Sequence, residues 1–295
     1  MGRALIAGWA ADLLLGDPRR GHPVAAFGRL AAALERVVHA HSRLRGAAFA
    51  LTLVGVAAAL GHRCARSWSS ATALIWIALG GRSLVEHAGR IAGLLRDGDI
   101  EAARAHLPAL AGRDPHRLDE SGIARAVVES LAENTADAVV GVLVWGAVAG
   151  PAGVAAYRAA NTLDAMFGHR SERHLQFGWA AARLDDLMNW PVARVGALLT
   201  VVCAPLSGGS ALGAWRAMRR DGAAHPSPNA GRMEAAFAGA LGVRLGGPLS
   251  YEGRAEVRPA LGDGPPADVG AIRGAARLSL AVGAAAAGLC AMGAG

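Results

Sequence analysis

Residues 129–156 read ESLAENTADAVVGVLVWGAVAGPAGVAA. Glu129, Glu133 and Asp137 stand four apart, and residues 138–156 then contain no charged side chain over nineteen positions. On a helix, i, i+4 and i+8 drift by only about 40° per step, so the three acids form one stripe with Asn134 at its shoulder. Three like charges on one face repel and call for a cation: Arg125, four residues before Glu129, or a metal or substrate amine. The nineteen uncharged residues approach the roughly 20 of a bilayer-spanning helix. Gly150-Pro151 interrupts them. Such a pair ends or kinks a soluble helix, but a membrane helix tolerates it when neighbours satisfy the freed carbonyls.

The whole composition points to a membrane. Of 295 residues, 53% are hydrophobic and only 18% charged, and the mean hydropathy is +0.30, outside the habit of soluble domains. Much of this apolarity is Ala and Gly, which bury little area each. The net charge of +7 is carried by arginines scattered between apolar segments, without the basic and aromatic patches of a nucleic-acid binder. Phosphorylated substrates or anionic headgroups account for it. Cys64, Cys203 and Cys290 lie far apart and form no CxxC, so neither a zinc site nor a disulfide framework is indicated.

Further segments meet the bilayer criterion to different degrees. Residues 4–16 are too short and contain Asp12; 46–61 and 67–81 are marginal; 195–215 and 278–295 join 138–156 as the stronger ones. Between them, 82–107 has amphipathic periodicity that Gly98 divides, Asp114-Pro115 marks a turn, and Asp119 or Ser121 caps the helix that follows. Residues 216–277 form an extended polar loop region. The expectation is an all-α, polytopic integral membrane protein with Gly/Pro-interrupted helices and polar helical loops, a single membrane-embedded domain over 1–295.

Further polar groups surround these segments. In YRAANTLDAMFG, residues 157–168, Asn161 and Asp164 are three apart; in RLDDLMNWPVAR, residues 183–194, Asp185 and Asp186 precede Asn189 by four and three. Each group can converge on one ion or phosphate cluster, and Arg158, Arg183 and Arg194 flank them with the fork geometry that suits phosphate or carboxylate. The alternative is helix ends, with Asn161 or Asp164 as caps and Pro191 closing a helix after Asn189. LLGDPRRGHPVAAFG, residues 14–28, holds Asp17 and His22 on two X-Pro turns. HPSPNAGRMEAAFAGALGVRLGG, residues 225–247, sets His225, Ser227 and Asn229 before a helix bearing Glu234, with Ser227 or Asn229 as its cap. Neither GxxxxGK[ST] nor GxGxxG occurs, so a P-loop or Rossmann nucleotide site is not offered.

Taken in order, GDPRRGHPV, ESLAENTADAVVG, YRAANTLDAMFGHR, FGWAAARLDDLMNWPVAR and HPSPNAGRMEAAFAGALGVRLGG closely resemble the adenosylcobinamide-phosphate synthase family of cobalamin biosynthesis. The resemblance runs from residue 16 to residue 247. One departure is Val142, where the family pattern has Pro. The family resemblance implies a multi-pass protein of the cytoplasmic (inner) membrane. It also implies an ATP-dependent ligase that joins the propionate carboxyl of adenosylcobyric acid to aminopropanol or its phosphate, with Mg2+ accompanying ATP and the corrinoid as substrate. It leaves room for a homo-oligomer and gives no role to nucleic acid.

On that resemblance, Glu129, Glu133, Asp137, Asp164, Asp185 and Asp186 are candidates for Mg2+ or the amine, with Glu133, Asp137, Asp185 and Asp186 as metal ligands. His22 or His225 would accept the amine proton. Arg158, Arg183 and Arg194 would stabilise phosphate oxygens, while Asn134, Asn161, Asn189 and Asn229, with Asp17, would bind substrate. The competing reading is a membrane transporter or channel for a cation or small metabolite, since acids beside Gly/Pro-broken segments suit it too. A geometric tension accompanies either. If 138–156 simply crosses, the Glu129 stripe and the Asn161 and Asp185 groups face opposite sides, so one common site requires this stretch to be broken or re-entrant.

Overall fold

A computed structural model describes residues 1–18, 21–112, 114–116, 118–169, 171–251 and 254–294, without the side chains of 248–251 and 254–256. Arg19, Arg20 and Arg170 of the quoted motifs lie outside the described residues. Most of the described residues are helical. In order come α1 (Gly2–Leu15), α2 (Pro23–Val38), α3 (Arg43–Cys64), α4 (Trp68–Ala78), α5 (Gly81–Arg96), α6 (Ile100–His106) and α7 (Glu120–Thr135). A π-turn, Ala136–Val140, leads into α8 (Gly141–Phe167), followed by α9 (Trp179–Cys203), α10 (Ala211–Asp221), α11 (Ala230–Leu241), strands β1 (Leu245–Tyr251) and β2 (Arg254–Leu261), and α12 (Val269–Gly293).

Local chemistry explains most boundaries. Ser42, Ser67, Asp99, Asp119 and Ser210 each accept an amide hydrogen bond in the first turn of α3, α4, α6, α7 and α10, the usual way to satisfy orphan donors. Gly98, at φ 79°, separates α5 from α6. Asp114 Oδ1 accepts from His116 N at 3.1 Å, making the expected turn. Pro191 does not end its helix: α9 runs through it to Cys203. Neighbouring helices and side chains in a membrane protein re-satisfy the carbonyl that proline frees.

Four segments are long and apolar enough to cross a bilayer: Arg43–Cys64, Glu120–Phe167, Trp179–Ser207 and Val269–Gly293. The protein is an all-α, multi-pass membrane protein. Leu44, Leu51, Val56 and Leu60 of α3 are all more than half exposed, as side chains facing lipid would be. The uncharged run 195–215 is not one rod, because Gly208 turns the chain at φ 81° and Ser210 starts α10. The 67–81 run yields only the eleven residues of α4. Residues 216–277, expected as a loop region, hold the end of α10, then α11, an antiparallel hairpin with Gly247 opposite Arg258, and the start of α12.

The chain divides into two compact units, residues 1–80, 137–191 and 286–295, and residues 81–136 and 192–285. In the first, α3 packs along α8, and Ala31, Ala50, Leu53, Leu163, Phe167 and Ala181 form a buried cluster. Close helix approach rests on small residues: a Cβ on Gly61 would come 2.6 Å from Ala155 Cβ. In the second unit α7 packs on α5 and α11, α10 packs on α11, and the hairpin packs on α11 and α7.

The decisive feature of the first unit lies inside α8. Ala149 leaves helical geometry at φ −131°, ψ 15°, and Gly150 adopts φ 63°, ψ −154°, a region essentially reserved for glycine. Pro151 then opens a second arm with its φ already suited to a first turn. In a straight helix Gly141 and Tyr157 would lie about 24 Å apart, yet a Cβ on Gly141 would run into the Tyr157 ring. A Cβ on Gly146 would sit 3.1 Å from Val154 Cγ2. The two arms therefore lie antiparallel, side by side. The stretch 138–156 is thus a helical hairpin with its tip at Gly150, and the 48 residues of Glu120–Phe167 are not one rod.

This reversal is open to a direct check. With Cys64, Cys203 and Cys290 replaced by Ala, Gly146→Cys together with Val154→Cys should form a disulfide under mild oxidation, read as loss of two hydrogens by mass spectrometry. A straight helix would hold the pair about 12 Å apart, beyond disulfide reach.

Candidate functional site

The reversal brings residues 24 apart in sequence into contact. Asp137 lies in the π-turn, a local widening of the helix frequent at functional sites. Asn161 sits on the returning arm of α8. Its Nδ2 donates to Asp137 Oδ2 at 3.1 Å and to Asp185 Oδ1 of α9 at 3.3 Å, where an unbent helix would have left Asp137 about 36 Å away. Asp185 Oδ2 accepts from Asn189 Nδ2 at 2.9 Å, and Asn189 Oδ1 accepts from the Tyr157 hydroxyl at 2.7 Å. Arg158 Nη1 donates to Asn161 Oδ1 at 3.1 Å. One connected network thus holds two carboxylates, two amides, a phenol and a guanidinium. Tyr157, Asp185 and Asn189 are buried, while Asp137, Arg158 and Asn161 are half-buried and form its open side.

Two carboxylates drawn to one amide repel each other unless a cation or donor intervenes. Asn161 supplies the donor and Arg158, one turn before it, supplies positive charge. Among the described residues no three His, Cys, Asp or Glu side chains gather into a metal cage. Mg2+ does not need one, because it takes one or two carboxylates and completes its shell with water and substrate phosphates. Asp137 and Asp185, drawn to the same Asn161 amide, are a carboxylate pair of that kind.

The other expected residues take separate places. Asp186 faces Arg183 at 3.5 Å near the surface. Asp164 lies half-buried in the last turn of α8, where its carbonyl accepts from Gly168 N. His22 caps α2, its Nδ1 accepting from Val24 N at 3.2 Å, and Asp17 is exposed just before it. In the second unit, Glu133 is exposed and Asn134 donates back to the Ser130 carbonyl and hydroxyl of its own helix. Glu129 is buried and accepts from Gly246 N at 2.7 Å, while Arg125 Nη1 donates to Gly246 O at 2.6 Å. Glu129 and Arg125 thus grip both sides of one residue of the hairpin. His225 Nδ1 accepts from Ser227 N, which leaves the proton of the neutral ring on Nε2, 3.9 Å from the buried Glu234. Ser227, not the Asn229 side chain, caps α11; Asn229 is buried and Arg194 half-buried.

The segment joining α8 to α9 is clamped at the far end of the network helices. Arg173 Nε and Nη2 donate to the two oxygens of buried Glu35 at 3.0 Å each, and His174 Nε2 lies 3.4 Å from the same carboxylate. His39 Nε2 hydrogen-bonds the Arg173 carbonyl, and the His39 ring packs on Phe177. Burial pushes the His174 pKa down; its contact with Glu35 opposes that shift and Arg173 and His39 reinforce it.

Comparison with known proteins places this architecture. Residues 5–279 match the family model described as CobD/Cbib protein. The chain belongs to that family. A relative named "Cobalamin biosynthesis protein CobD" from Mycobacterium tuberculosis (strain ATCC 25618 / H37Rv) is 53% identical over 98% of this chain and 94% of its own length. Relatives of the same name from Geobacter metallireducens and Chromobacterium violaceum are 43% and 42% identical, over 90% and 86% of this chain and 88% and 84% of their own lengths. No solved structure matches the chain. In this CobD/Cbib chain Val142, the departure from the family pattern, is buried in the first turn of α8; its side chain is not among the network groups.

Tyr157 is the network member that spacing alone did not single out. Its signal was present: it precedes Asn161 by four residues, so both lie on one helix face. Tyr157→Phe should destabilise the detergent-solubilised protein by about 1–3 kcal/mol, because Asn189 keeps a buried acceptor with no donor; denaturant titration measures it. The lowered His174 pKa also has a definite sign. The unfolded chain binds the proton first as pH falls through the usual histidine value, so this stability contribution is complete above it and is lost as pH falls toward the lowered value. A His174→Gln protein should show a flatter pH dependence of unfolding in that interval.

Proposed function

We propose that this protein is an ATP-dependent amide-forming ligase of cobalamin biosynthesis, embedded in the cytoplasmic membrane, that joins the propionate carboxyl of adenosylcobyric acid to aminopropanol or its phosphate. Membership of the CobD/Cbib family supports the pathway. The observation that carries the chemistry is the pairing of Asp137 and Asp185 around Asn161 beside Arg158.

The reaction needs an activated acyl group. A carboxylate oxygen of the corrinoid bonds to a phosphorus of ATP, releasing ADP or pyrophosphate. The amine nitrogen then bonds to the acyl carbon, the carbon–oxygen bond to phosphate breaks, and the amine loses a proton. Mg2+ bound with ATP would screen phosphate charge during the first transfer. Asp137 and Asp185 would hold it, with Asn161 fixing their orientation, and Arg158 would stabilise phosphate oxygens as charge shifts. Asn189 and Tyr157 lock the Asp185 carboxylate from behind. The amine proton leaves to water or to the departing phosphate, because His22 Nδ1 accepts from Val24 N and its neutral ring carries the proton on Nε2.

The test is mass spectrometry of the corrinoid after incubation with purified protein, adenosylcobyric acid, aminopropanol phosphate or aminopropanol, and ATP with Mg2+, omitting each in turn. Product gains the mass of the amine less water, only when all components are present. Asp137→Asn and Asp185→Asn should each lower turnover at least about a hundredfold while the protein remains monodisperse in detergent. Corrinoid or amine flux through proteoliposomes without covalent change would overturn the ligase reading in favour of transport.

A further inference from the structure

Helix α10 carries two faces of different chemistry. Ala214, Ala217 and Met218 are buried as α10 packs on α11. On the other side Leu212 (55% exposed), Trp215 (40%), Arg216 and Arg219 are exposed at spacing i, i+3, i+4, i+7. The Arg219 guanidinium stacks 5.5 Å from the centre of the Trp215 ring. Arg220 is already engaged, by Asp221 and by Asp263 at 2.5 Å. Arg216 and Arg219 make no ion pair among the described residues. The exposed face is therefore apolar at its start and cationic at its end, with a tryptophan between.

Chain continuity says what covers this face. The membrane-crossing segment Trp179–Ser207 ends with Val202 and Leu206 exposed at 70% and 78%, as lipid-facing side chains are. Only residues 208–210 separate it from α10. Three residues reach at most about 10 Å, comparable to the headgroup layer outside the hydrocarbon core. A helix whose one exposed face carries Leu212 and Trp215 with Arg216 and Arg219, held there, suits the membrane interface, where tryptophan sits at headgroup level and arginine side chains reach the headgroups.

We propose that α10 lies along the bilayer surface and binds anionic phospholipid headgroups through Arg216 and Arg219, with Leu212 and Trp215 seated at the acyl boundary. This surface is separate from the ligase site and does not depend on that reading.

The test uses the full-length protein in nanodiscs whose lipids carry bromine near the top of the acyl chain, on either zwitterionic or anionic headgroups. Subtracting the fluorescence of Trp215→Phe from that of the native chain isolates Trp215. The expected result is that Trp215 is quenched by brominated lipid, with the bromolipid fraction giving half-quenching several-fold lower when the bromine is on anionic lipid. Arg216→Gln with Arg219→Gln, or 0.5 M salt, should bring the two lipid series together, since exposed charges are screened. Quenching by aqueous iodide and not by bromolipid would overturn the placement of α10. Equal quenching in both series for the native chain, or a preference that survives the double substitution, would overturn the headgroup recognition.

Discussion

A single backbone reversal governs the first unit. At Ala149-Gly150 the chain leaves the helix, passes through a conformation that glycine alone adopts readily, and re-enters at Pro151. The two arms then run close because Gly141 and Gly146 present no side chain to Tyr157 and Val154. Without that turn Asp137 and Asn161 would stand some 36 Å apart, and the Asp185 pairing would lose its third member.

The surrounding structure holds these helices in register. Glu35 and Arg173 pair through two parallel hydrogen bonds, geometry that resists rotation as well as separation, and they pin the segment between α8 and α9. In the second unit Arg125 and Glu129 bond the carbonyl and amide of Gly246, whose φ of 77° no other residue takes without strain. Glu129, which the family resemblance offers as a candidate for Mg2+ or the amine, thus also anchors a hairpin. The acidic stripe is shared between the two units, with Glu129 and Glu133 in one and Asp137 in the other. The π-turn at Ala136–Val140 marks that change of allegiance.

Particular residues show how far the chain could be read in advance. The membrane class followed from composition, and the break at Gly150-Pro151, the division at Gly98 and the Asp119 cap were visible as letters. Asn161, Asp185 and Asn189 could be recognised as a polar set on helix faces. Tyr157 was passed over because a tyrosine in an apolar run reads as packing. The hairpin of β1 and β2 was missed because its glycines and prolines resemble an ordinary polar loop. The continuation of α9 through Pro191 was missed because proline costs a hydrogen bond in isolation, whereas packed neighbours make up the loss.

The sequence by itself determined local facts: which segments avoid water, where the backbone can turn, which helix faces carry acids and amides, and to which family the motifs belong. These depend on spacing and intrinsic preference over a few residues. Only the tertiary structure decided which acids meet. Whether Gly150-Pro151 bends a crossing helix or folds it back depends on packing between the arms, and the result carries Asp137 to Asn161 and Asp185 while leaving Glu129 to Gly246. Contacts between residues 24 or 117 apart are set by the sum of many weak packing terms, and no local pattern encodes that sum.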